Sequence, residues 1–273
     1  MMNQKCSDYE SEQIRAIVEW KQKAPSVVAQ GIGKLAAPLT WVTKKVLPKS
    51  AMKAVLNGAN SAGELLADES DICRDGNVSD ISELRHKDLR LSDQLADNVH
   101  NWAIGAAAVE GGVAGAVGIF GIAADIPAIL TLALRTIHKI GLCYGYRANN
   151  KQEKDFVLEI LSVAGSNSQA EKNEALVALK MLQVVIEKQT WKAMKQKAAQ
   201  ALGKEAAVIA IKNLCKQLGI NFTKRKALQA IPIVGGGIAA AVNADFIRDV
   251  GYASIRIYQQ RWLRDNEKWV DSI

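Results

Sequence analysis

Residues 118–145 read GIFGIAADIPAILTLALRTIHKIGLCYG, and the first half of this stretch carries one charge, Asp125, two places before Pro127. Proline is well tolerated in the first turn of a helix, where the N–H it lacks would have no partner anyway. The spacing therefore predicts Asp125 as the N-cap of a helix that runs to about Tyr144. A second reading pairs Asp125 with Arg135 or Arg248 inside a bundle, as part of a ligand or ion site, because an unpaired buried carboxylate costs several kcal/mol. His138, with Leu134, Arg135 and Leu142 as helical neighbours, reads as a satisfied, partly buried side chain before it reads as a ligand.

Just upstream, residues 103–124 (AIGAAAVEGGVAGAVGIFGIAA) hold a single charge, Glu110, and six glycines. A second stretch, residues 227–244 (ALQAIPIVGGGIAAAVNA), is uncharged and of the same character, and it leads into Asn243 and Asp245. The length suits a membrane span, but Gly and Ala contribute little transfer free energy. Small residues four apart, Ala107, Gly111 and Gly115, allow close helix packing either in a bilayer or in a tight bundle. Each stretch carries an Ile-Pro pair, at 126–127 and 231–232, which gives the two a repeat-like look.

The remainder is helical in pattern. A helix starts near Ser7 or Ser11 and Pro25 ends it; Pro38 and Pro48 break the next stretch into short pieces. Residues 68–80 have the Asp, Gly, Asn and Ser density of a polar acidic loop, the best place for a mobile insertion. Asp80 or Ser79 with Glu83, and Ser92 before an apolar run, are helix-start signals. Leu176, Leu179, Leu182 and Ile186 follow the spacing of a core-facing stripe. Aromatic residues are only 5% of the chain, and the composition favours helix over strand. The expected fold is a single all-α domain over residues 1–273: a multi-helix bundle with the two Gly/Ala-rich segments packed among amphipathic helices.

Charge is unevenly spread. Residues 185–230 hold ten Lys or Arg against two Glu, a net of +8, and residues 61–100 hold ten acids against four bases, a net of -6. Lys188, Lys192, Lys195, Lys197, Lys224, Arg225 and Lys226 form the core of the basic segment. They suit either a solvated face or anionic lipid headgroups, aided by Trp191, Trp262 and Trp269. Nucleic acid ranks last, because Gly/Ala stretches have no role in phosphate binding. The four cysteines lie far apart and suggest free thiols, and the polar amino terminus lacks the apolar region of a secretory signal, so a cytoplasmic origin is expected. GxSxG, HExxH and P-loop motifs are absent, the three histidines share no ligand spacing, and GGGIAAAVNAD has no strand before it. No catalytic residue, cofactor or metal site is expected. The rival is a metal-dependent enzyme built from Asp125, His138, Asn243 and Asp245.

EWKQKAP, AADIPAILTLALRTIHKIGLCYGY and AIPIVGGGIAAAVNADFIRDVGYASIRIY occur in this order from Trp20 to about Arg261. In this combination the chain resembles the EcsC family. On that pattern Asp125, Pro127, Arg135, Tyr144, Gly145, Pro232, Gly235 and Asn243 are motif positions. The namesake is encoded beside an ABC transporter, so the resemblance implies a membrane-linked accessory role and brings no enzymatic activity. The expectation is a non-catalytic protein, peripheral to the inner membrane, that binds lipid or an apolar ligand or assists a transporter. The alternative is an integral protein held by the two apolar segments.

Overall fold

A computed structural model describes residues 6–25, 49–115, 119–166, 168–193 and 235–269. Among them all regular structure is helical. The helices are α1 (Asp8–Gln22), α2 (Lys49–Leu66), α3 (Ser70–Asp75), α4 (Leu89–Gly115), α5 (Ile119–Cys143), α6 (Lys151–Ala164), α7 (Gln169–Ala193) and α8 (Gly235–Asp265), with a 3-10 turn at Ile81–His86. The all-α, multi-helix expectation holds.

Local chemistry explains the boundaries. α1 starts with a capping box: the Glu10 N–H donates to Ser7 Oγ, and the Ser7 N–H donates back to the Glu10 carboxylate at 2.8 Å. Asp80 and Glu83 make the same reciprocal pair at the 3-10 turn. Ser92 is not a cap. It lies inside α4, and Asp88 accepts from the Arg90 N–H at 3.0 Å instead. α5 ends on Gly145 at φ 84°, where Tyr146 N–H donates to Gly141 O at 2.8 Å and Gly145 N–H to Leu142 O at 2.9 Å. That paired closure needs a left-handed residue, and a Cβ there would meet the Arg85 backbone at 2.8 Å.

Two further expectations are corrected. Asp125 does not cap α5: the helix begins at Ile119 and runs on through Pro127, so Asp125 is an interior position, and its side chain lies outside the described residues. Residues 68–80 are not a free loop. They contain α3, and long-range cations hold them down: Arg147 binds Glu69 at 2.8 Å and Asp80 at 2.8 Å, and Lys139 binds Asp71 at 2.5 Å.

The longest pair, α4 and α8, pack along each other; α5 packs against α2, α4 and α8, and α6 against α5, α7 and α8. α1 lies on α8. The 103–124 stretch is thus divided between the end of α4 and the start of α5, with 116–118 outside the described residues, and 235–244 open α8. At the centre, Tyr258 stacks on Tyr144 and Tyr146 at 6.2 and 5.8 Å between ring centroids and meets the Phe156 ring edge-on at 5.8 Å. Trp262 is fully buried, its indole N–H donating to Leu84 O at 3.1 Å. Trp262 is therefore a core residue and not a membrane anchor, and Trp269 is half-buried against the same core.

Candidate functional site

α2 and α5 approach closely at Gly63, where a Cβ would lie 2.8 Å from the Arg135 backbone nitrogen. This approach brings Arg135 to the end of α2, where its Nε donates to Leu66 O at 3.0 Å. A cation suits that place, because the last carbonyls of a helix are unpaired and partially negative. On its other side the guanidinium lies 4.4 Å from the centroid of the Trp102 ring of α4. Trp102 is 53% exposed, Leu66 53% and Leu65 85%. Val109, two helical turns beyond Trp102 on the same face of α4, is 72% exposed. The face around Arg135 therefore combines an exposed indole, the exposed Leu66 and Val109, and a cation fixed by a backbone carbonyl.

His138 and Asp245 have separate partners. His138 is buried between α5 and α2, its Nε2–H donating to Asn60 Oδ1 at 2.8 Å, and burial pulls its pKa down to about 4. It is a neutral core histidine at physiological pH. Asp245 is buried and accepts from Arg248 on its own helix at 3.1 Å, while Oδ2 has no hydrogen bond. Asn243 is buried in α8. Of the basic segment, Lys188 and Lys192 lie in α7 with side chains outside the described residues; Lys195, Lys197, Lys224, Arg225 and Lys226 lie outside altogether, as do Pro232 and Cys215. Among the described residues, no three His, Cys, Asp or Glu side chains gather as a metal ion requires.

The strongest polar sites of the interior were not foreseen. Asp93 of α4 is buried and accepts hydroxyl hydrogen bonds from Tyr144 at 2.5 Å and Tyr9 at 2.6 Å. Burial raises its pKa against those donors. Arg261 and Glu153 form a buried bidentate pair, with the guanidinium 4.0 Å from the Tyr146 ring centroid. Glu159 is 1% exposed, Oε2 has no hydrogen bond, and burial, helped by nearby Glu174, pushes its pKa up to about 8. A signal for Glu159 is present in FVLEILSVA, where one acid stands in a run too apolar to have a wet face. Trp102 had a signal too, as the last aromatic before the Gly/Ala stretch.

A helical bundle with polar groups in its interior and an exposed Trp–Arg face is an all-α, multi-helix protein in which, among the described residues, no helix is long and apolar enough to cross a membrane. The chain belongs to the EcsC protein family, whose family model matches residues 11–263. It is similar to the Uncharacterized protein YdbA of Bacillus subtilis (strain 168), with 26% identity over 188 residues. That alignment covers 69% of this chain and 64% of the length of the relative. No solved structure matches the chain.

Proposed function

We propose that this chain is a non-catalytic accessory protein that associates peripherally with an anionic membrane surface through the Trp102–Arg135 face. The observation that carries the reading is the guanidinium of Arg135, held between the Leu66 carbonyl and the exposed Trp102 ring. Indole rings favour the headgroup layer, where one edge is wet and the rest apolar. Leu66 and Val109 supply apolar area beside it, and a cation near an anionic surface adds about 1 kcal/mol. A partner role beside an ABC transporter, as the family resemblance implies, fits a protein seated on that surface.

Flotation with phosphatidylglycerol-rich and with phosphatidylcholine vesicles, at low and high salt, tests it. Binding to the anionic vesicles that weakens in salt is expected, and Leu66→Ser with Trp102→Ser should lower it at least tenfold. Absence of binding to either vesicle sinks the proposal, as does binding indifferent to the double substitution.

A further inference from the structure

One stripe of α7, Gln169, Asn173, Leu176, Lys180 and Gln183, lines a cleft of about 570 Å³. Lys21 at the end of α1 and Arg264 of α8 line its other sides, and α6 packs against both α7 and α8. Fourteen helical steps from Gln169 to Gln183, at about 1.5 Å each, make the stripe about 21 Å long. The volume lies in the range of small-molecule sites. Its polarity is divided: Leu176, Val177 and Leu179 are apolar, while the charged lining residues among those described are all cations.

Two buried polar atoms at opposite ends of the stripe lack partners. Gln183 is 6% exposed, yet its Nε2 makes no hydrogen bond. Gln169 donates through Nε2 to Lys21 O at 2.9 Å and to Asn173 Oδ1 at 2.8 Å, which fixes the amide and leaves its buried Oε1 unbonded. Buried polar groups are nearly always satisfied, and a leucine at position 183 would cost less than an idle amide. An acceptor atom of a ligand in the cleft supplies the partner that Gln183 Nε2 lacks.

We infer that the cleft binds an anionic amphiphile, a carboxylate or phosphate head on an alkyl chain, laid along α7 with its head among the cations and its chain over Leu176, Val177 and Leu179. The inference rests on the lipid-directed reading above but uses a different surface. Lys180, one turn from Gln183, and Arg264 attract the head without forming a covalent or metal-dependent site, and Lys21 stands at the Gln169 end. The Gln183 amide donates to it.

Calorimetric titration of the full chain with monomeric dodecanoate and dodecyl phosphate tests the inference, with dodecyl maltoside as neutral control and inorganic phosphate as head without a chain. Both anionic amphiphiles should bind at least tenfold more tightly than either control. Gln183→Leu should weaken them at least tenfold while the thermal midpoint stays equal or rises, the opposite of what loss of a structural hydrogen bond does. Arg264→Gln, partly exposed and expected to fold, should weaken the anionic amphiphiles alone. The inference is overturned if neither anionic amphiphile binds, if either control binds as tightly, or if both variants keep full affinity. Vesicle flotation of Gln183→Leu should match the parent, so the cleft and the Trp102 face fail separately.

Discussion

Arg261 and Glu153 meet in the interior through two hydrogen bonds, Nη1 to Oε2 at 2.7 Å and Nη2 to Oε1 at 2.6 Å. Burial alone would favour the uncharged guanidinium, and the Glu153 bonds more than reverse it. Removing one partner strands the other charge. Glu153→Leu or Arg261→Met should each lower unfolding free energy by about 3–5 kcal/mol, and the double variant that combines them should lose less than the sum of the two. Urea unfolding measures all of these, and strict additivity would contradict the pairing.

Asp93 gathers donors from two helices' ends. Tyr144→Phe deletes a fully buried donor and should cost about 1–3 kcal/mol. Tyr9→Phe, at the partly exposed edge, should cost less, and its loss should appear mainly as amide exchange in α1. Equal losses would mean that Tyr144 has no special share in the carboxylate.

Glu159 predicts a pH slope. With a folded pKa of about 8, the folded chain keeps a proton that the unfolded chain, near 4.5, releases between those values. Stability from this group falls as pH rises through that window, by up to about 1.4 kcal/mol per unit, and levels off above pH 8. Glu159→Gln should match the parent near pH 4.5 and exceed it by a few kcal/mol at pH 8. A difference that stays flat from pH 5 to 8 in thermal melts would show that Glu159 titrates as an exposed acid.

Gly251 of α8 allows the α4 helix to come in with His100, whose ring would lie 2.1 Å from a Cβ at that position. His100 in turn donates to Arg248 O at 3.1 Å. Gly251→Ala should destabilise by about 1–3 kcal/mol, with partial recovery in combination with His100→Ala. Gly105, with open space around its Cα, is the control: Gly105→Ala should be neutral or stabilising by about 0.5–1 kcal/mol.

Local signals were legible where the chemistry is local. The Ser7–Glu10 and Asp80–Glu83 boxes start their elements as their spacing says, and Leu179, Leu182 and Ile186 are buried as their period requires. Asp125 misled because an acid two residues before proline has the form of a cap, whereas α5 continues through Pro127 and forgoes one backbone hydrogen bond. Residues 68–80 misled because the charges that order them, Lys139 and Arg147, are distant in sequence. The candidate site was harder. Arg135 was visible, but its partners Leu66 and Trp102 come from two other helices, and nothing in the spacing of Gln169 and Gln183 marks them out from other glutamines. Only burial distinguishes them.

α1 is both a latch and a wall. Tyr9 reaches Asp93, Glu10 accepts from Lys268 at 2.6 Å, and Lys172 donates to the Trp20 and Lys23 carbonyls, so the helix is fastened at both ends. Its last turn also supplies Lys21 and Gln22 to the α7–α8 cleft. Seating of the amino-terminal helix and filling of the cleft are therefore linked: a ligand that binds the cleft only while α1 is seated holds α1 down by the same factor by which peeling α1 away weakens the ligand.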